Sequence, residues 1–98
     1  SCPHKHEWGG VLAADPGTTA AVLKAVRSRT RRRLWVKLSP NVTDVTEIAR
    51  VVEGEGADAV TLINTLRGLV IDVKARKPAL ANGAGGLSGP AIKPVALY

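Results

Sequence analysis

The sequence predicts an α/β fold, because strand-like apolar segments alternate with helix-like amphipathic segments along its 98 residues. Strand patterns over 34–38 and 59–63 flank a helix pattern over 45–53, which is the order of a βαβ unit. The two strands start about 25 residues apart, a spacing that suits either a (β/α) barrel or an open doubly wound sheet. Because a barrel needs about 250 residues, we expect this chain to be part of a longer protein.

Two amphipathic helices are indicated by capping residues and by apolar periodicity. Asp15 and Pro16 supply a cap and a proline for the first helical position, which predicts a helix over 17–28. Asp44 caps the second helix, and Glu47 completes the acidic half of a capping box. The predicted core-facing residues are Thr19, Val22, Leu23 and Val26 in the first helix and Val45, Ile48, Ala49 and Val52 in the second.

The two strands differ in their patterns. The first, over 34–38, carries a single charge, Lys37, in a run that otherwise looks buried, and it ends before Pro40, which cannot donate to a ladder. The second, over 59–63, is almost continuously apolar, as expected of a strand that is covered on both faces.

The pattern changes after residue 63. Two short apolar segments, over 69–73 and 78–81, are joined by a charged turn and predict a β-hairpin inserted between a barrel strand and its helix. A glycine-rich stretch over 82–90 predicts a flexible loop that ends in a proline placed to start a final helix. No internal repeat or linker indicates a second domain.

The charge and cysteine content narrow the function class. The formal net charge is +6, with arginines concentrated over 27–33. We interpret this cluster as a solvated helix end, where the helix dipole favours positive charge. The alternative, from a different class of function, is an RNA-binding surface that contacts phosphates. One cysteine excludes an internal disulfide and indicates a reducing, cytoplasmic setting. The sequence contains no signal-peptide pattern and no apolar run near the ~20 residues of a membrane span.

Polar or reactive side chains follow strands at three places. They are Cys2, after a strand inferred before Ser1, then Lys37, and then the pair Asn64 and Thr65. In parallel α/β folds the carboxyl ends of the strands form the rim where ligands bind. Each residue also has a plain structural role open to it. Lys37 can snorkel to water, Cys2 can pack as a small hydrophobe, and Asn64 can satisfy a turn.

Four motifs in this chain match a known family in order and spacing. They are Ser1–Pro3, Val36–Asp44, Thr61–Thr65 and Leu80–Pro94. Together they resemble the catalytic subunit of class 1B dihydroorotate dehydrogenase. The resemblance implies that residues 1–98 are a fragment of one FMN-binding (β/α)8 TIM barrel domain, from its middle portion and with an inserted β-hairpin.

The resemblance also implies roles for individual residues. Cys2 would be the catalytic base, on a mobile loop over the substrate, and would take the proton from C5 of dihydroorotate. A thiolate suits that role because nearby positive charge can lower the pKa of a cysteine. The residues carried over as FMN ligands are Lys37, Ile63 and Gly89, and those carried over as substrate ligands are Asn64 and Thr65.

The implied activity is the oxidation of (S)-dihydroorotate to orotate in de novo pyrimidine synthesis. The family pairs the FMN subunit, as a homodimer within a heterotetramer, with a subunit that carries FAD and a [2Fe–2S] cluster and passes electrons to NAD. The expected location is the cytoplasm.

One position departs from the family. Where asparagine is usual this chain has His4, and dihydropyrimidine dehydrogenase is similar to it in its Ser-Cys-Pro-His segment. Reduction of uracil or thymine is therefore the alternative reaction. Cys2, His4 and His6 are metal-ligand types, but they lie in one segment without a partner cluster, so no metal site is predicted.

Overall fold

The computed structural model describes residues 12–98. In chain order the elements are α1 (Pro16–Arg27), β1 (Trp35–Lys37), α2 (Val45–Gly54), β2 (Ala59–Thr61), β3 (Leu66–Gly68), β4 (Ile71–Asp72), β5 (Lys77–Pro78), β6 (Gly85–Leu87), a 3-10 turn (Pro90–Ile92) and α3 (Lys93–Leu97). No helix in this part of the chain is long and apolar enough to cross a membrane.

The predicted βαβ unit is confirmed. Strands β1 and β2 pair in parallel, with Val36 opposite Val60, and α2 connects them. Each strand is three residues long, shorter than predicted, although the Leu38 N–H still donates to the Thr61 carbonyl at 3.1 Å. The described residues therefore form an α/β unit consistent with part of a barrel, and they contain no closed barrel.

Both predicted helix caps are present. The Asp15 carboxylate accepts hydrogen bonds from the Thr18 N–H and hydroxyl, each at 2.6 Å. The Asp44 carboxylate accepts from the Thr46 N–H at 2.8 Å and from the Thr46 hydroxyl at 2.6 Å. Hydrogen bonds to the charged form favour it, so the threonine donors lower the pKa of both Asp15 and Asp44. These caps explain where the two helices begin.

The hydrophobic core lies between α1, α2 and the sheet. Its buried side chains are Leu23, Leu38, Val45, Ile48 and Val52. The apolar face predicted for α2 is confirmed. On α1 the buried positions are Thr19 and Leu23, whereas Val22 and Val26 stay 42% and 40% exposed. A narrow stripe suffices there because α1 packs mainly on one neighbouring helix.

Strand β2 is more open than predicted. Val60 is 39% exposed and Leu62 is 45% exposed, so the prediction of a strand covered on both faces is wrong for the described residues. A parallel strand is buried when elements cover both faces. Within residues 12–98, β2 has β1 as its single strand neighbour.

The inserted hairpin is present but short. Ile71 and Asp72 pair antiparallel with Pro78 and Lys77. The turn is closed by the Ala75 N–H, which donates to the Asp72 carboxylate at 2.9 Å. The turn is the charged one predicted between two apolar segments.

The glycine-rich stretch is not entirely a loop. Strand β6 pairs antiparallel with β3, placing Gly86 opposite Arg67, so the prediction of a flexible loop over 82–90 is wrong in its middle. A Cβ on Gly85 would lie 2.5 Å from Leu80 Cδ1, and one on Gly86 would lie 2.8 Å from Thr65 Cβ. Glycine is therefore present here because neighbouring side chains occupy the space, which is compatible with a strand.

One arginine of the basic cluster has a structural role at the amino ends of the strands. The Arg27 guanidinium donates to the Gly56 carbonyl and to the Asp58 carboxylate, each at 3.0 Å, and to the Thr30 carbonyl at 2.9 Å. Asp58 also accepts from the Leu34 N–H at 2.7 Å. We call this set the Arg27 clamp. The remaining arginines of the cluster are exposed, as expected of a solvated helix end: Arg29, Arg31, Arg32 and Arg33.

The clamp predicts an acid-sensitive contribution to stability. The hydrogen bond from Leu34, followed by that from Arg27, lowers the pKa of Asp58 below its ordinary 3.8. A lowered folded-state pKa gives stability that is present above pH 3.8 and is lost as the pH falls through the folded value. We expect Asp58→Asn in the full-length protein to melt at a lower temperature at neutral pH and to lose less on acidification. Melting curves across this range, with Glu53→Gln as the exposed-carboxylate control, measure it. Parallel curves for Asp58→Asn and the unmodified protein at every pH would contradict it.

Candidate active site

Lys37 ends β1 on the face opposite the helices. Side chains alternate along a strand, so Val36 packs towards the core while Trp35 and Lys37 lie on the other side. Lys37 is exposed, although the apolar residues around it in the sequence made it look buried. Among the described residues, the ion pairs are Lys24–Glu55 and Arg27–Asp58, and neither involves Lys37. Its ammonium group therefore has no ion-pair partner within residues 12–98.

Asn64 and Thr65 lie beside the end of β1. The Asn64 N–H donates to the Leu38 carbonyl at 2.9 Å, so the chain after β2 is held against the residue that follows Lys37. Both Asn64 and Thr65 are half-buried. The structure therefore brings Lys37 and the Asn64–Thr65 pair to one rim at the carboxyl ends of β1 and β2.

A further residue of this rim, Asn41, was missed by the sequence reasoning. Its Nδ2 donates to the Thr65 carbonyl at 3.0 Å, and its Oδ1 accepts from the Arg67 N–H at 2.8 Å. Ser39 Oγ accepts from the Asn41 N–H and from Nδ2, each at 3.3 Å. The only local signal was an amide in a loop after a strand, because the partners lie 24 and 26 residues away.

At Ile63 and Gly89 the group that could contact a ligand is the backbone, not a side chain. The Ile63 side chain packs against the core, so its main chain is the part free to contact a ligand. Gly89 has φ +105°, a region that favours glycine, and no atom lies within 4 Å of the position of an added Cβ. Open space beside a bare backbone fits a flat ring lying against it.

Cys2, the predicted base, lies outside the described residues, as do His4 and His6. Within residues 12–98 no cluster of histidine, cysteine, aspartate or glutamate can hold a metal ion.

Comparison with known proteins points to one family. The sequence model described as "Dihydroorotate dehydrogenase" matches residues 1–98. The chain is 58% identical over 97 residues to "Dihydroorotate dehydrogenase B (NAD(+)), catalytic subunit" of Trichlorobacter lovleyi, and 57% identical to the protein of that name from Desulforamulus reducens. Each match covers 99% of this chain and 32% of the relative, so the chain spans about a third of their length.

Proposed function

Because this chain belongs to the dihydroorotate dehydrogenase family, we propose that its full-length protein oxidises (S)-dihydroorotate to orotate in de novo synthesis of UMP. The observation that carries the proposal is the rim at the carboxyl ends of β1 and β2. There, an exposed cation and an amide–hydroxyl pair occur together in a chain 52–58% identical to catalytic subunits with that name. A barrel would place that rim around its mouth, where the strands deliver their side chains.

The proposed substrate ligands suit a pyrimidine ring. An asparagine amide offers both a donor and an acceptor, so Asn64 can match the C=O and N–H groups of a ring imide. The Thr65 hydroxyl can do either, according to how it rotates. Their half-buried position lets them hold the ring in one orientation without excluding it from the site.

The proposed cofactor is FMN, held by Lys37, by the backbone of Ile63 and against Gly89. When bound, FMN supplies the acceptor for the hydride that leaves C6 of dihydroorotate. Lys37 places a fixed positive charge where negative charge develops during that transfer. Cys2, as a thiolate, takes the proton from C5, so the C5–C6 single bond becomes a double bond with the loss of one proton and one hydride.

The proposed partners follow from the names of the relatives. Those proteins are called catalytic subunits of an NAD(+) enzyme, and a catalytic subunit implies another subunit beside it. We propose that this protein acts as a homodimer in a heterotetramer with an electron-transfer subunit carrying FAD and a [2Fe–2S] cluster, in the cytoplasm.

Two other functions are less well supported. Reduction of uracil or thymine rests on His4 alone, whereas the relatives at 52–58% identity carry the dihydroorotate name. RNA binding through the basic cluster is weakened by Arg27, whose guanidinium is bound to protein carbonyls and to Asp58.

The deciding experiment uses the full-length protein purified with its flavin. Dihydroorotate is added without oxygen, the flavin absorbance is followed, and dihydrouracil is the comparison. We expect rapid bleaching by dihydroorotate and little by dihydrouracil. Bleaching by dihydrouracil alone would move the assignment to the uracil-reducing alternative. A protein that binds no flavin would overturn the flavoenzyme proposal.

A further inference from the structure

We propose that Asn41 is a positioning residue that sets the Asn64–Thr65 pair relative to Lys37. The proposal rests on the function proposed above, because it assigns a role to Asn41 in that same site. Asn41 itself touches protein groups and is not placed in contact with substrate or flavin.

The Asn41 side-chain amide makes the two hydrogen bonds that the backbone N–H and C=O of one residue in a parallel strand would make. It donates to the Thr65 carbonyl at 3.0 Å and accepts from the Arg67 N–H at 2.8 Å. In a parallel ladder, the N–H and the C=O of one residue bond in this way to two residues that lie two apart on the neighbouring strand. The side chain thus continues the pairing of β1 and β2 beyond the point where β1 has ended.

The loop that carries Asn41 is itself restrained. Ser39 Oγ accepts from both the main-chain and side-chain nitrogens of Asn41, and Pro40 between them is buried. This loop begins directly after Lys37 and Leu38. A displacement of the Thr65 carbonyl would therefore be resisted by a short, braced connection to the lysine.

Thr65 is restrained on its other side by β6. A Cβ on Gly86 would lie 2.8 Å from Thr65 Cβ, so the Thr65 side chain sits directly on the glycine backbone. Asn41 holds the carbonyl of Thr65, and Gly86 limits its side chain. Two hydrogen bonds hold this turn against the loop that follows β1. The bond from the Asn64 N–H to the Leu38 carbonyl joins main-chain groups, so a substitution does not remove it. The bond from the Asn41 side chain to the Thr65 carbonyl can be removed by substitution.

A residue that only tied a loop would alter stability, whereas a positioning residue alters substrate affinity. Asn41 is exposed, so its removal leaves the core intact. The expected signature is a raised KM for dihydroorotate with bound flavin and melting temperature retained. Asn41→Asp separates the two arms, because its carboxylate still accepts from the Arg67 N–H but cannot donate to the Thr65 carbonyl.

The test uses the full-length holoenzyme and compares Asn41→Ala and Asn41→Asp with Thr43→Ala, an exposed residue of the same loop. Stopped-flow bleaching gives the dihydroorotate affinity and the reduction rate, and orotate titration of the flavin spectrum gives product affinity. We expect both Asn41 variants to weaken dihydroorotate and orotate binding about tenfold, as loss of a positioning hydrogen bond does. We expect Thr43→Ala to match the unmodified enzyme in both affinities.

Three results would overturn the inference. Affinities of both Asn41 variants within about twofold of Thr43→Ala would leave Asn41 as a structural tie, with the proposed function standing. An Asn41→Asp enzyme with normal affinities would show that the hydrogen bond from Asn41 to the Thr65 carbonyl does not position the pair. An unmodified enzyme that dihydroorotate fails to bleach would instead overturn the proposed function, and the inference with it, before any variant is examined.

Discussion

Replacing Lys37 with methionine is expected to slow flavin reduction by dihydroorotate about a hundredfold, in line with the loss of one preorganised charge-stabilising group. Methionine keeps an unbranched chain of comparable length and removes the ammonium. Lys37 is exposed on the rim, so the substitution leaves no buried cavity or buried unpaired group. The loss should therefore appear in the reduction rate and not in the folding of the protein.

Two measurements separate the charge of Lys37 from its bulk. The flavin midpoint potential should become more negative in Lys37→Met, because a nearby cation favours reduced, negatively charged flavin. Lys37→Arg should recover part of the rate, since it restores the charge in a different shape. Lys74→Met, in the exposed turn between β4 and β5, is the matched control. An unchanged rate and potential in Lys37→Met would remove Lys37 from the flavin site.

Replacing Cys2 with alanine is expected to have the largest effect, slowing flavin reduction by about 10² to 10⁴, the contribution of a general base. The substrate would still bind, because its proposed ring ligands are Asn64 and Thr65. Orotate should therefore still perturb the flavin spectrum of Cys2→Ala, while dihydroorotate bleaches it slowly.

Cys2→Ser tests whether the thiol acts as a base. A hydroxyl gives up its proton far less readily than a thiol near neutral pH, so the serine variant should gain rate as the pH is raised beyond the range where the unmodified enzyme has levelled off. Lys5→Ala, from the same segment, is the control. Bleaching by Cys2→Ala at the unmodified rate would assign the base to another group.

Local signals made much of the fold predictable. Helices α1 and α2 follow from caps at Asp15 and Asp44 and from apolar spacing, all of which act within a turn or two. The parallel β1–β2 pairing follows from the strand–helix–strand order, because a helix is the usual crossover between parallel strands. Strand β6 was missed because Gly85 and Gly86 look like loop residues until Leu80 and Thr65 are seen to occupy the space of a side chain.

The site divides in the same way. The convergence of Lys37 with Asn64 and Thr65 was predictable, since parallel strands end at a common edge. The exposure of Lys37 was not, because an apolar run does not reveal which face of a three-residue strand is covered. Asn41 was also not predictable, because its partners, Thr65 and Arg67, are far along the chain and present main-chain groups, which every residue carries.

The Arg27 clamp and the rim proposed as the active site lie at opposite ends of the same two short strands. Asp58 precedes β2 and Asn64 follows it, so the contacts of the clamp and the contacts proposed to select a substrate share no side chain. Adaptation to a new growth temperature thus has a route through Arg27 and Asp58 that leaves the chemistry alone. Improved heat resistance and altered substrate choice can be sought in this protein as independent traits.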